Sequence, residues 1–524
     1  MNQAIFQYGE EQLSIGLALE IANGKRLGIL SATARAKIQQ NRNLVDEVLE
    51  SGRIVYGVTT GFGPLCTTFV SGEQSQILQH NLLKSHSVGV GEAIPKEVAK
   101  LMLILKVQAL AQGYSGISLA TLDRILWHIE EDLIPFVPAQ GSVGASGDLA
   151  PLSHLFLPLI GFGKIFHQGK YEPTAKVLQE YQQPAIQLQA KEGLALINGT
   201  QFMAAFGIVV AARLQSCLDQ ADITAAMMLE AMTGSAKPFH PDLHRLRPHI
   251  GCSYVAERLR ALLSESAIMK SHENCSRVQD PYSLRCIPQV HGASRSAWLH
   301  LKDALHTEIN SVTDNPILLD DINIISGGNF HGQPIALPLD YAAMAAAEIG
   351  NIADRRIYLS IEGKMPGVPK LLMDEVGLNS GFMIPQYTTA ALVTENKTLC
   401  FPASVDSVPT SLGQEDHVSM GSISARKAWQ VVQNLEQILG IELLYAAQAL
   451  DFQRPLRSSA LVESCYLLVR EQIGHRTNDT LFIDELAIVI GLIREGKLLA
   501  ATDDVAQQQQ LPFKNIRHEL FGIY

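Results

Sequence analysis

Between Gly141 and Asp148 the chain reads Gly-Ser-Val-Gly-Ala-Ser-Gly-Asp, and the triplet Ala145-Ser146-Gly147 holds the atoms to make an electrophile from protein alone. Attack of the Gly147 backbone nitrogen on the Ala145 carbonyl carbon closes a five-membered ring. That closure needs a bend that neighbouring Cβ atoms obstruct, and glycine removes them. Loss of water from the Ser146 side chain then leaves an exocyclic methylidene conjugated to the ring carbonyl, a Michael acceptor for an amine. The same composition suits an ordinary glycine-rich turn, so the surrounding residues must decide between the two readings.

Asp148 reads as the cap of a helix that opens at Leu149, with Pro151 tolerated in its first turn. The triplet then lies at the positive end of a helix, where charge developing on the ring oxygen is stabilised. In Gln279-Asp280-Pro281-Tyr282-Ser283-Leu284-Arg285, Asp280 reads as an N-cap and Pro281 as the first helical residue. Tyr282 and Arg285 then share one helix face. An arginine fork matches a carboxylate through two parallel hydrogen bonds, although a surface salt bridge would use the same residue. Four loops mix glycine with amide, hydroxyl or aromatic groups: Tyr56 to Gly63, Ile197 to Gln201, Asp314-Asn315-Pro316, and Gly327 to Gly332. Any one of them is explained by a tight turn; four together suggest a lined site. The sixteen histidines carry no His-Glu-x-x-His signature, so a metal hydrolase is disfavoured and no metal is expected.

The elements that must position these residues are read from composition and period. A chain of 524 residues holds two or three domain-sized units or one large helical assembly. With 47% apolar, 18% charged and 6% aromatic residues, it suits long helices packed with Ala, Leu and Ile better than an aromatic-rich sandwich. The net charge of −11 is spread along the chain with no basic stripe, so nucleic acid is not an expected partner. Cys66, Cys217, Cys252, Cys275, Cys286, Cys400 and Cys465 are scattered and never form C-x-x-C, as expected of reduced cysteines. No basic region precedes an apolar stretch at the N-terminus, and residues 149–162 and 202–213 are too short to span a bilayer. A cytoplasmic chain without a membrane partner is expected.

Helical period recurs from Ser31 to Gly52, where Ile38, Val45, Val48 and Leu49 share a face, from Leu339 to Leu359, and from Ser422 to Phe452. Strand-like segments are short, around Arg53 to Thr60 and Asn323 to Ile325. The expected fold is mainly α: a smaller, mostly helical N-terminal domain carrying the Ala-Ser-Gly loop over residues 1–197, and a long-helix bundle over 198–524.

These motifs, in order, resemble the aromatic amino acid ammonia-lyase and aminomutase family, which builds a 4-methylidene-imidazol-5-one from an internal Ala-Ser-Gly. The resemblance covers nearly the whole chain. It is carried by the Tyr56 loop, Asn81 to His86, Gly144 to His154, Asn198-Gly199-Thr200, Gln279 to Arg285, Asn310 to Pro316, Asn329-Phe330-His331-Gly332 and Gln414 to Met420. It implies that Ala145, Ser146 and Gly147 form the cofactor with no external one, that Tyr56 removes the β-proton, and that Arg285 holds the substrate carboxylate. It further implies that Asn198 and Tyr282 support the cofactor and amine, and it adds Phe330 and Glu415 to the catalytic set. A homotetramer with a central helical bundle and active sites assembled from three chains is also implied, so Tyr56, Ser146 and Tyr282 need not be close within one chain. A tyrosine acting as base near neutral pH needs its pKa lowered by about two to three units, roughly 3 to 4 kcal/mol. One helix terminus supplies at most about 2 kcal/mol, so several must converge; the sequence locates two, at Asp148 and Asp280.

Within that family, Ser85-His86 and Gln414-Glu415 resemble the histidine-selective members, as do Gln201 and Met383 to Gln386-Tyr387. A buried imidazole has two ring nitrogens that need partners, and an unpaired one costs about 1 to 3 kcal/mol. Glu415 can accept one N–H and His86 can satisfy the other edge, with Gln279, Met383 and Gln414 completing the substrate contacts. The implied reaction is non-oxidative deamination of L-histidine to trans-urocanate and ammonia, a carbon–nitrogen lyase. Tyrosine or phenylalanine ammonia-lyase and 2,3-aminomutase of the same family are the alternatives, and Glu415 competes with Tyr56 for the role of base.

Overall fold

Five long helices, Gln201–Ala231, Ile287–Glu308, Gln333–Ile361, Met383–Leu399 and Gly421–Asp451, pack against one another and form the body of the molecule. The computed structural model describes residues 4–70, 72–273, 277–513, 515 and 520–524. The expected mainly α architecture is observed, with the few strands short and peripheral. Burial explains the helix that ends at Asp451: Ala428, Val431, Val432, Leu435, Ile438 and Leu439 recur at three- and four-residue steps and are all fully buried. Gln201–Ala231 is buried around nearly its whole circumference. It is long and apolar enough to cross a membrane, but 83% of its most apolar window is buried inside the fold, as in a core helix.

Local signals set several helix ends. Ser31 caps the Ala32–Ser51 helix by accepting the Ala34 N–H at 3.0 Å, and Gly52 closes it in the left-handed region at φ 67°. The alanine-rich helix runs from Gln333 to Ile361, six residues earlier than the period suggests, because Pro334 suits the first turn and Pro338 is accommodated inside.

Arg53 to Thr60 is a turn and not a strand. Its valines Val55 and Val58 both pack on Val45 and Val48 of the preceding helix, while Thr59 Oγ1 accepts the Val55 N–H at 2.9 Å. The segment near Asn323 does pair, with Ile324–Ile325 antiparallel to Ile317–Leu318. The sequence reading did not anticipate the parallel pair Ala4–Gln7 with Arg26–Ile29, or the three-stranded sheet of Ile134–Pro135, Lys164–His167 and Lys170–Pro173. Six cysteines are free thiols, and Cys275 lies outside the described residues.

Candidate active site

The Ala145-Ser146-Gly147 triplet is a bend stitched to the loop before the Gln201–Ala231 helix. Ser146 and Gly147 both have positive φ, 49° and 83°. The Gly199 N–H donates to the Ser146 carbonyl at 3.2 Å, and the Asp148 N–H donates to the Gly199 carbonyl at 2.8 Å. A Cβ on Gly147 would stand 2.1 Å from the Gly199 oxygen, so only glycine fits. Among the described residues the Gly147 N–H has no acceptor, which leaves that nitrogen uncommitted. Below the bend Ala145 packs with Val418 and Met420. The triplet therefore combines a bend that only glycine fits with a backbone nitrogen left uncommitted.

Several helix N-termini converge on this bend, though not the pair expected. The Leu149–Phe156 helix begins beside it, but Asp148 makes no side-chain cap to that helix. Its carboxylate instead accepts the N–H groups of Phe202 and Met203, both at 3.1 Å, and so caps the Gln201–Ala231 helix. Burial pushes the Asp148 carboxyl up to about 7, against the lowering effect of the hydrogen bonds from Met203, Phe202 and Ser142. The Gly421–Asp451 helix also starts here: the Met420 N–H donates to the Val143 carbonyl at 3.0 Å, and Ser422 Oγ to the Ser142 carbonyl at 2.7 Å. Asp280 is no cap either. Its carboxylate accepts the Ser235 N–H at 2.6 Å and pairs with Arg277 at 2.9 Å, Pro281 takes the cap position, and the helix, Tyr282–Arg285, is one turn long. One turn has almost no macrodipole, so that element does not polarise the site.

A cavity of about 870 Å³ opens above the bend. Tyr56, His86, Ser146, Asn198, Phe330, Gln414 and Glu415 all line it. Ser146 Oγ lies 3.5 Å from Glu415 Oε1, while the other carboxylate oxygen accepts from the Thr410 and Ser411 hydroxyls at 2.8 Å each. His86 Nδ1 lies 2.9 Å from the Leu82 carbonyl, and a carbonyl only accepts, so Nδ1 carries the proton. Nε2 is then a lone-pair acceptor in the neutral ring, and burial holds the His86 pKa below its ordinary value. Both Nδ2 hydrogens of Asn198 are committed, to Asp314 Oδ1 at 3.3 Å and the Asn315 carbonyl at 2.8 Å, which leaves Oδ1 as its free end. The Tyr56 hydroxyl accepts the Gly63 N–H at 3.1 Å. Burial raises the Tyr56 pKa, with the Cys66 and Glu415 charges adding to the rise and the Gly63 hydrogen bond opposing it. The acidified tyrosine expected from the sequence is thus not met within one chain.

Four expected residues stand apart from this cavity. Gln279 is exposed, Tyr282 is 71% exposed, and the Arg285 guanidinium stacks 4.6 Å from the centre of the Tyr282 ring. Phenol and guanidinium do stack together, with the phenol turned to the surface and the arginine half-buried. Met383 opens the Met383–Leu399 helix and does not line the cavity. This separation is consistent with the expectation that Tyr56, Ser146 and Tyr282 need not meet within one chain.

His240 and His244 stand four residues apart, a ligand-like spacing, yet His244 Nε2 donates to the Pro238 carbonyl at 3.2 Å and His240 Nδ1 accepts the Asp242 N–H at 3.3 Å. Among the described residues no cluster of three metal-ligating side chains occurs. The sequence reading missed Lys106 and Lys191, buried lysines behind Asn198. The signal for Lys106 was available: it is the one charge in the apolar run Leu101-Met102-Leu103-Ile104-Leu105-Lys106-Val107.

Comparison with known proteins agrees with this geometry. Residues 13–471 match the family model described as aromatic amino acid lyase. The histidine ammonia-lyase of Natranaerobius thermophilus is 47% identical over 90% of this chain and 93% of its own, and that of Myxococcus xanthus 45% over 94% and 97%. Among solved structures, histidine ammonia-lyase from Trypanosoma cruzi superposes with a TM-score of 0.88 at 40% identity, covering 96% of this chain and 95% of the other. Tyrosine aminomutase from Streptomyces globisporus does so with 0.91 at 34%, covering 98% and 100%. With an Ala-Ser-Gly bend, a cavity above it that sets a few polar groups among apolar ones, and relatives along almost its full length, this chain belongs to the aromatic amino acid lyase family.

Proposed function

We propose that this chain deaminates L-histidine to trans-urocanate and ammonia. The observation that carries this reading is the placement of His86 and Glu415 in one cavity with Ser146, Asn198 and Tyr56. Two acceptors, His86 Nε2 and the Glu415 carboxylate, suit a protonated imidazole, which has two ring N–H donors and a positive charge; a phenyl ring offers no donor to either. The curated relatives at 45–47% identity carry the same activity in their names.

We assign to Ala145, Ser146 and Gly147 the 4-methylidene-imidazol-5-one, which supplies an electrophile for the substrate amine once formed. Asn198 Oδ1 accepts from that amine and orients it. Either Tyr56 or the Glu415 carboxylate takes the β-proton. The raised pKa of Tyr56 keeps its hydroxyl protonated over more of the pH range, which favours Glu415 at neutral pH and Tyr56 in the alkaline range. In sites assembled from three chains, Arg285 holds the substrate carboxylate of another copy, Tyr282 supports the cofactor and amine there, and Gln279 and Met383 contact the substrate. A homotetramer is supported by the exposed apolar side chains Leu337, Tyr341 and Tyr358 on one bundle helix, and Ile384 and Tyr387 on the next. The division at residue 197 into an N-terminal unit and a bundle unit is supported by the start of the first long bundle helix at Gln201.

The deciding experiment incubates the purified chain with L-histidine, L-tyrosine and L-phenylalanine, following ammonium and the absorbance of the conjugated acid. The fastest ammonium release is expected from L-histidine. Faster release from L-tyrosine or L-phenylalanine overturns the substrate, and a β-amino acid formed without ammonium establishes an aminomutase instead.

A further inference from the structure

Behind the cavity wall, Asn198 is tied to buried ions that the chemistry above does not use. Asp314 accepts from Asn198 Nδ2 on Oδ1 and from Lys191 Nζ on Oδ2, the latter at 2.7 Å. The side chains of this ion pair are 0% and 4% exposed. The Asn315 N–H donates to Asp314 Oδ1 at 2.7 Å, fixing the carboxylate against its own backbone. From the other side Lys106, also buried, donates Nζ to the Ala195 carbonyl at 3.0 Å and to the Asn198 carbonyl. Side chain and backbone of one cavity residue are therefore each held by a buried ion.

Such an arrangement is a poor route to stability. Burying two charges costs about as much as their attraction returns, and apolar side chains of similar volume often serve as well or better. Burial lowers the pKa of Lys191 against the pull of Asp314, and brings that of Lys106 down to about 7. What the pair does fix is the direction of one amide. The two ends of an asparagine side chain have nearly the same shape, and only their partners decide which end faces a cavity. Turning Asn198 over would set its oxygen against the Asp314 carboxylate and the Asn315 carbonyl, acceptor against acceptor. Its NH₂ would then face the cavity, where it has nothing to offer the N–H bonds of an amine.

The geometry points to Lys191 and Asp314 as positioning residues that hold Asn198 Oδ1 toward the cavity to receive the substrate's amino group, a role that rests on the deamination reading above. Lys191 orients and pairs the Asp314 carboxylate, Asp314 commits the Asn198 NH₂, and Lys106 anchors the peptide that carries it. None of the three lines the cavity.

The test uses the full chain and the variants Lys191→Met/Asp314→Leu, which removes the acceptor for Asn198 Nδ2 as well as both charges, Asn198→Asp and the exchange Asn198→Asp/Asp314→Asn. Either single change at Lys191 or Asp314 strands a buried charge, whereas the first double variant strands neither. It is compared with wild type by melting temperature, by the near-ultraviolet difference band of the cofactor, and by kcat and KM for L-histidine. With fold and band retained, kcat is expected to fall about 100-fold, the scale of a misplaced reacting group. KM is expected to stay within roughly threefold, because substrate is still bound. A folded, band-positive double variant whose kcat stays within roughly threefold of wild type overturns the proposal. If that protein does not fold, the exchange decides, because it keeps the net charge, restores one donor between the two side chains and leaves an oxygen for the cavity. Recovery of about tenfold or more over Asn198→Asp alone is expected, and no recovery overturns the proposal. Wild-type protein that releases no ammonium from L-histidine removes the functional reading and this inference with it. An active wild type beside an unimpaired double variant removes this inference alone.

Discussion

The Asp148 carboxylate accepts the backbone N–H of Met203 at 3.1 Å, and so caps a helix to which it does not belong. Through this contact and its twin to Phe202, the residue that follows the Ala-Ser-Gly bend is anchored to the first turn of a buried helix of 31 residues. A helix terminus leaves its first N–H groups unpaired, and here the neighbouring loop supplies what the chain just before the helix does not. The cap and the bend are one unit: what holds the helix start also holds Gly147 against Gly199.

This contact carries a pH signature. Burial raises the Asp148 carboxyl from 3.8 to about 7, so the folded state favours the protonated form. The stability contributed by that preference is full below the unfolded value and is lost as pH rises through about 7. In Asp148→Asn the oxygen still accepts from Phe202 and Met203 but no longer titrates. Thermal melting at a series of pH values should show wild type gaining on Asp148→Asn between about pH 8 and pH 5. Asp148→Ala, which removes the acceptor, should lose about 1 kcal/mol or more at every pH. Parallel wild-type and Asp148→Asn profiles would contradict the assignment.

The cofactor assignment is separated from the fold by two substitutions in the bend. Ser146→Ala removes only the hydroxyl whose loss makes the methylidene, and it should melt like wild type while lacking both ammonium release and the near-ultraviolet difference band. Gly147→Ala should fail for a different reason. Its Cβ would meet the Gly199 oxygen at 2.1 Å, and its φ of 83° is strained for alanine. Loss of activity in this variant is therefore expected with a lowered melting temperature as well. Turnover retained by Ser146→Ala would exclude the ring.

Substrate choice should follow His86 and Glu415. Glu415→Gln exchanges one acceptor oxygen for a donor and is expected to lower kcat/KM for L-histidine by about 10- to 100-fold, the range for one charged hydrogen bond. His86→Leu leaves the second ring nitrogen unpaired and should raise KM for L-histidine by about tenfold, while improving binding of L-phenylalanine relative to wild type. Steady-state kinetics with both amino acids check the pair. A Glu415→Gln enzyme with unchanged histidine kinetics would move the imidazole elsewhere in the cavity.

The lining of the cavity was legible because its chemistry lies in loops, where glycine beside amide, hydroxyl or aromatic groups has no simpler explanation when the pattern repeats. Tyr56, Ser146, Asn198 and Phe330 were found this way, whereas His86, the last residue of the Gly72–His86 helix, and Glu415 came from the family resemblance; all six line the cavity. Caps were less legible. Asp148 and Asp280 each have the residue type and the following sequence of an N-cap, yet both carboxylates are used across the fold, by Met203 and by Ser235. Local sequence fixes what a side chain can accept, and tertiary contact fixes what it does accept. The same holds for Arg53 to Thr60, whose two valines, three residues apart, answer to a helix packed beside them and not to a sheet. Lys191 stands beside Glu192 with no motif around it, and only its burial against Asp314 gives it a role.

The raised pKa of Tyr56 makes the pH dependence of the rate diagnostic of the base. A phenol held above its ordinary value by burial is deprotonated only in the alkaline range, so a rate limited by Tyr56 should climb with pH past neutrality and level off only above the usual tyrosine value. Tyr56→Phe should abolish that climb and lower kcat by about 100-fold or more, the contribution of a positioned proton acceptor. If Glu415 takes the proton instead, Tyr56→Phe leaves the shape of the profile unchanged and Glu415→Gln removes the rate. A neighbouring copy that brings Tyr282 and Arg285 over the cavity adds a positive guanidinium near the Tyr56 hydroxyl, and an opposite charge favours the phenolate. The climb should then begin at lower pH in the assembled oligomer than in Arg285→Gln. Profiles of kcat against pH for wild type, Tyr56→Phe, Glu415→Gln and Arg285→Gln measure all of this in one series, and an Arg285→Gln profile coincident with wild type would deny the guanidinium any part in activating the tyrosine.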